Sequence, residues 1–124
     1  MPAAKRIVSV SSDPILLQTR NAVLRSAGYD VSDATGADDT KKLLDGSRFD
    51  VLVIGHTMPE SVRRTLSEMG QRHATPVVLL CLGRGQSSDI AADVRVDSSE
   101  GPAALLKAVA GLLGPRRRAA SGSR

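Results

Sequence analysis

Few residues in this chain have types and spacing that could do chemistry. They gather in four short clusters: Ser11-Ser12-Asp13, Gly55-His56-Thr57, Cys81-Leu82-Gly83 and Asp97-Ser98-Ser99. The hydroxyls of Ser11 and Ser12 could accept a phosphoryl group, but hydrogen bonding to an adjacent loop is their commoner use. Cys81 as a nucleophile needs a base and a depressed pKa, and His56 is the base on offer. The plainer reading is a buried cysteine at a strand end. His56 and Cys81 also begin a zinc ligand set, yet two ligands are too few and no third stands out. Asp13 could ligate a metal, but an aspartate ahead of Pro14 is fully explained as a helix N-cap. Asp97 reads as a turn or cap residue ahead of Pro102. No dinucleotide fingerprint or phosphate-cradling glycine loop is present near the first cluster. A small enzyme and a small binding module both fit this inventory.

The elements that must position these clusters follow from the apolar pattern. Short β-branched runs stand at Arg6–Val10, Val51–Ile54, Val77–Leu82 and Val94–Val96, with a weaker one around Tyr29–Ser32. Continuous apolar character in four of them predicts parallel strands covered on both faces. Helical spacing fills the intervals: Ile15, Thr19, Ala22, Val23 and Ser26 on one face, then Thr40, Leu43 and Leu44, then Val62, Leu66 and Met69, and finally Leu105, Leu106, Val109, Leu112 and Leu113. Asp13-Pro14 opens the first helix and Gly28 closes it. Gly46 follows the second, Pro59 opens and Gly70 ends the third, and Gly114-Pro115 stops the last. The interval from Gly83 to Asp93 is short, so its helix is expected to be one or two turns or irregular. Right-handed crossovers then give one open α/β sheet. Its ligand edge is the carboxyl end of the strands, where all four clusters fall.

Length and charge narrow the classes further. A chain of 124 residues makes one domain, and 41% hydrophobic residues suffice for a core. The formal charge of +4 hints at nucleic acid, but four of the 17 basic residues lie in the last ten positions, Pro115 to Arg124. The remaining 13 face 13 acids. The predicted organisation is therefore a neutral folded domain over 1–114 and a disordered, Arg-rich tail over 115–124. Arg116, Arg117 and Arg118 could give a weak, salt-sensitive hold on nucleic acid or an acidic partner. Tyr29 and Phe49 are too few aromatics for a base-stacking platform. Arg63-Arg64 and Lys41-Lys42 read as solvated helix faces. No apolar run reaches the ~20 residues of a membrane span, no signal peptide is evident, and the lone Cys81 excludes an internal disulfide; a cytoplasmic setting is expected.

Several words of the sequence, in order and spacing, carry a resemblance. They are Lys5-Arg6-Ile7-Val8-Ser9-Val10, Asp13-Pro14, Gly28-Tyr29-Asp30-Val31, Ala34-Thr35-Gly36, Phe49-Asp50-Val51-Leu52-Val53-Ile54 followed by Met58-Pro59, and Thr75-Pro76-Val77-Val78. Over roughly residues 4–114 the chain resembles a receiver domain of the two-component response regulators. The resemblance implies a flavodoxin-like (βα)5 sandwich with a five-stranded parallel sheet in the order 2-1-3-4-5 and a shortened fourth helix.

Receivers of that family take a phosphoryl group from a kinase histidine onto an aspartate, with Mg²⁺. Carried over residue by residue, the family's acidic pair falls on Ser11 and Ser12 and its phosphoacceptor on Gly55. Its Ser/Thr position falls on Cys81, and its lysine on Asp97 or, one residue on, Ser98. Two serines and a glycine supply neither nucleophile nor the charged oxygens a divalent cation wants, and an aspartate at the lysine position repels a phosphoryl group. Met58-Pro59 also runs straight into Glu60-Ser61-Val62, without the family's usual Met-Asp-Gly. The expectation is a pseudo-receiver that is not an enzyme and has no catalytic residue, metal or cofactor. It would act by phosphorylation-independent contact with a signalling protein, kinase or output domain, or with a second copy of itself. By family analogy Arg95, Leu106 and Lys107 mark that contact surface. Two alternatives stand beside it: an unconventional phosphoacceptor or small-ligand input, and an accessory that binds nucleic acid or an acidic partner through the arginine tail.

Overall fold

The computed structural model describes residues 4–82 and 89–122, with side chains to Leu113. The β-branched runs form five parallel strands: β1 (Arg6–Val10), β2 (Asp30–Ala34), β3 (Val51–Ile54), β4 (Val77–Cys81) and β5 (Val94–Asp97). Their order across the sheet is β2-β1-β3-β4-β5, as the resemblance to receiver domains implies. Burial follows position in that order. The central strands β3 and β4 are buried at every residue, whereas the edge strands β2 and β5 are interrupted by exposed positions such as Asp30, Asp33 and Arg95. Val10 pairs with Ile54, and Cys81 with Asp97, so the carboxyl ends of the strands lie side by side.

Four α-helices cover the sheet: α1 (Pro14–Ser26), α2 (Ala37–Gly46), α3 (Glu60–Arg72) and α4 (Pro102–Gly122), with a 3-10 turn at Ser98–Glu100. One core lies under α2 and α3, where Leu44, Leu66 and Met69 meet Val8, Val10, Leu52, Ile54, Leu79 and Cys81. The other lies under α1 and α4, where Leu24, Leu105, Val109 and Leu113 meet Ile7, Val53, Val78, Leu80 and Val96. The alternation of side chains along β1 sends Ile7 to one core and Val8 to the other, which is how a three-layer sandwich is built from continuous apolar runs.

Several expectations need correction. The inward face of α1 is Leu17, Asn21 and Leu24, while Ile15 is 73% exposed. Asn21 explains the shift: it is buried and donates to Asp33 Oδ1, a polar residue on the core face that an apolar count skips. Gly70 does not end α3 but lies inside it, where a Cβ would stand 2.6 Å from Val77 Cγ2. The helix closes beyond Arg72 instead, through Ala74 at φ 54, with Thr75 N–H returning to Gly70 O at 2.8 Å. A left-handed residue at that place is usually glycine. Gly28, at φ 97, does close α1 as expected. The short helix expected between Gly83 and Asp93 falls mostly on residues outside those described, and 89–93 hold only turn and bend. The backbone of α4 is assigned through Gly114-Pro115, where a stop is predicted. The backbone expected to form a disordered tail over 115–124 is assigned to α4 as far as Gly122, and its side chains and last two residues lie outside those described.

At the amino ends of the strands, carboxylates satisfy backbone donors that begin a ladder without a partner. Asp50 Oδ2 accepts from Arg6 N–H at 2.8 Å, and Asp93 Oδ2 from Val77 N–H at 2.7 Å. Among the described residues, no helix is long and apolar enough to cross a membrane.

Candidate functional site

The site is built around Gly55, the first residue beyond β3. Its N–H donates to Val10 O at 2.9 Å, extending the β1–β3 pairing one step past Ile54. A Cβ placed on Gly55 would stand 3.0 Å from Val10 O, 3.2 Å from Arg20 Nη1 and 3.4 Å from Ser11 Cβ. Neither of the first two neighbours is free to give way. Val10 O also accepts from Arg20 Nη2 at 2.9 Å, and Arg20 Nε donates to Ser9 Oγ at 3.0 Å. Glycine at this position therefore meets a close approach of backbone and guanidinium.

A second arginine reaches Gly55 from the opposite face of the sheet. Arg63, on α3, is 1% exposed and is the largest fully buried side chain. Its Nε donates to Gly55 O at 3.0 Å, and its Nη2 donates to Leu80 O on β4. The expectation of a solvated Arg63-Arg64 pair thus fails at its first member. Arg64 alone reaches the surface, half-buried and paired with Glu60 at 2.8 Å and Asp89 at 3.0 Å. Neither Arg20 nor Arg63 was singled out as a site residue. The available signal was a cation at a core-facing helical position: Arg63 lies three residues before Leu66, and Arg20 four before Leu24.

Around this centre the hydroxyls form a short network. Ser11 is buried, its Oγ accepts from Asp13 N–H at 3.1 Å, and it lies 3.4 Å from Thr57 Oγ1; Ser12 Oγ lies 3.3 Å from the same atom. Asp13 Oδ1 accepts from Ile15 N–H at 3.0 Å and Leu16 N–H at 3.2 Å, so Asp13 is the N-cap of α1, as its place before Pro14 predicts. Asp97 likewise accepts from Ser99 N–H at 2.9 Å and Ser99 Oγ at 2.7 Å and caps the 3-10 turn. The structure does not unite His56 with Cys81. His56 Nδ1 pairs with Ser98 Oγ at 3.1 Å and its ring lines a cavity on the α1–α4 side. Cys81 packs into the α2–α3 core with its Sγ directed to Leu79 O. Among the described residues, no group of three His, Cys, Asp or Glu side chains is placed to hold a metal ion.

The electrostatics of the centre are those of a desolvated cation. Arg20 has no carboxylate partner among the described residues, and burial pulls its pKa down to about 10. It still carries its proton at neutral pH, so a positive charge sits beside Gly55. The predicted contact residues lie elsewhere. Arg95 is exposed on the edge strand β5 and donates to Ile90 O, Lys107 is exposed on α4, and Leu106 is half-buried against the α1–α4 core.

No family model matches this sequence, and no curated protein matches it. Solved structures do. A CheY-like response regulator receiver domain protein from Methanospirillum hungatei is 19% identical at a TM-score of 0.79, covering 93% of this chain and 98% of that one. The signal receiver domain of a histidine kinase from Syntrophus aciditrophicus is 21% identical at a TM-score of 0.79, covering 90% and 92%. The receiver domain of a sensor histidine kinase from Pseudomonas aeruginosa, with a magnesium ion coordinated in its active-site cleft, is 18% identical at a TM-score of 0.75, covering 90% and 99%. The chain has the fold of a response-regulator receiver domain.

Proposed function

We propose that this chain is a receiver-type signalling protein that has lost phosphoryl transfer and works through protein–protein contact, independent of phosphorylation. The observation that carries this reading is the closure around Gly55. The position on which the resemblance places the phosphoacceptor has no side chain, and the space a side chain would need is bounded by Val10 O and Arg20. Ser11 and Ser12 supply hydroxyls where charged oxygens would hold a divalent cation, and Ser11 is already engaged by Asp13 and Thr57. Asp97, in the place of the phosphate-binding lysine, is spent on its own turn. On this reading the protein is not an enzyme and binds no metal for catalysis.

The domain then has one resting conformation to present, and its message is the presence of the protein rather than its phosphorylation state. Arg95 on β5, and Leu106 and Lys107 on α4, supply two exposed cations and a half-buried apolar residue, and they are the candidate contacts for a signalling partner, kinase or output domain, or for a second copy. A cytoplasmic setting fits the unpaired Cys81. Incubating the protein with a small-molecule phosphodonor and Mg²⁺, then measuring its intact mass, tests the reading. No adduct is expected, and an added phosphoryl group on any residue would overturn it.

A further inference from the structure

Between α1 and α4, above the ends of the central strands, lies a cavity of about 330 Å³. It is small among ligand pockets, which run from ~300 to ~1,000 Å³. Its walls are mostly apolar, from Leu16, Val23, Leu80, Val96 and Leu105, and the polar side chains in its lining are Ser11, Thr19, Arg20, His56, Thr57 and Ser98. The cavity exists because nothing bulky fills it. The chain has two aromatic residues, Tyr29 and Phe49, and neither lines it.

The one guanidinium among the described residues of its lining says what charge a ligand there would carry. Arg20 is half-buried beside Gly55. Its Nε and Nη2 are spent on Ser9 Oγ and Val10 O, and Nη1 has no acceptor among the described residues. Nη1 is therefore free to donate to an anion that enters the cleft, and the apolar surroundings strengthen a charged hydrogen bond made there. One guanidinium with one free nitrogen matches a single carboxylate, whereas the apolar walls would penalise a doubly charged phosphate. The geometry points to a binding site for a small apolar monocarboxylate, its carboxylate on Arg20 and its hydrocarbon body between Val23 and Leu105. His56, held by Ser98 Oγ at 3.1 Å, stands beside the carboxylate end. The cavity borders the Gly55 centre, with Ser11, Gly55 and Thr57 in its lining, but binding a carboxylate needs no phosphoryl transfer, so a phosphoryl adduct would overturn the proposed function while the carboxylate titration is read on its own.

The probes are hexanoate and 4-methylbenzoate, each compared with its own uncharged primary amide. Titration of the ¹⁵N-labelled full chain, followed by amide shifts, is expected to move the signals of Gly55, His56, Gly101 and Leu105 saturably with at least one acid. The matching amide should bind at least tenfold more weakly. Arg20→Gln should weaken the acid at least tenfold, and Val23→Phe, which fills the cavity and keeps the cation, should abolish binding in a protein whose spectrum remains folded. No saturable shift with either acid up to 10-fold above millimolar concentration, roughly the weak limit of specific binding, overturns the proposal. Equal binding of acid and amide, or an acid whose binding survives Val23→Phe, overturns it as well.

Discussion

Replacing Gly70 by alanine sets two effects of opposite sign against each other. In a helix interior, alanine is favoured over glycine by about 0.8–1.0 kcal/mol, so propensity alone predicts a more stable protein. The structure predicts the reverse. The new methyl would stand 2.6 Å from Val77 Cγ2, 3.2 Å from Leu52 Cδ2 and 3.2 Å from Thr75 O, where ordinary contact begins at 3.4 Å. Helix α3 must therefore back away from β4 by about 0.8 Å, or Val77 must leave its rotamer. Val77 is β-branched and buried in a packed core, so neither adjustment is cheap. Overpacking of this kind costs about 1–3 kcal/mol. Net of the propensity gain, Gly70→Ala should destabilise by about 1 kcal/mol, a fall in Tm of about 4 °C for a domain of this size. Urea unfolding at an unchanged m-value measures it. The decisive control is Val77→Ala, which removes the crowding methyl: in that background Gly70→Ala should be neutral or stabilising, with a coupling energy of about 1 kcal/mol or more. A stabilised single mutant, or additive behaviour in the cycle, would refute the claim that Gly70 sets the distance of α3 from the sheet. That distance matters to the site, because α3 carries Arg63 to Gly55.

Three further outcomes follow from the same geometry. Arg63→Ala should cost about 3 kcal/mol or more in chemical unfolding, since it empties a buried volume and leaves Gly55 O and Leu80 O without that donor; a loss below about 1 kcal/mol would show the arginine to be dispensable. Ala74→Gly should raise stability by about 0.5–1 kcal/mol, because it relieves a left-handed alanine, and a lowered Tm would contradict that account. The carboxyls of Asp39, Asp45 and Asp89 are held below the usual aspartate range, chiefly by hydrogen bonds from Thr35, Lys41 and Arg64 respectively. Their contribution to stability is present above the unfolded value of 3.8 and is lost as pH falls through the lower folded values. Tm should drop across that acid window, with a shallower drop in Asp45→Asn and at high salt; a Tm independent of pH there would exclude the linkage.

What could be read from the sequence was what local pattern controls. Continuous β-branched runs specify buried parallel strands whatever packs on them, and Asp13-Pro14 and Gly28 act through their own backbones, so the strands and the limits of α1 are legible locally, while the strand order comes from the family resemblance. The inward faces of helices depend on contacts across space. Asn21 and Arg63 occupy core-facing positions, and both donate to partners distant in the chain, Asn21 Nδ2 to Asp33 and Arg63 to Gly55 and Leu80. A pattern that scores polar residues as outward misplaces both. Gly70 was misread for a related reason: it is glycine because of what α3 packs against, a demand that resembles a helix stop when only neighbours in sequence are counted. The absence of side chain and charge at Gly55, Ser11 and Ser12 was legible. The guanidinium beside them was not, because Arg20 reaches Gly55 only through the folding of α1 onto β1.

Arg63 has a bearing on how the molecule opens. Strand β3 ends at Ile54, yet its next carbonyl and that of Leu80 on β4 share one guanidinium. The two loops that leave these strands are thereby fastened to the same group. Detaching either one abandons a buried charged hydrogen bond and exposes the core beneath α3. The ends of β3 and β4 therefore belong to a single cooperative unit of opening, and their amide protons should exchange together, at rates set by global unfolding and not by loop fluctuation.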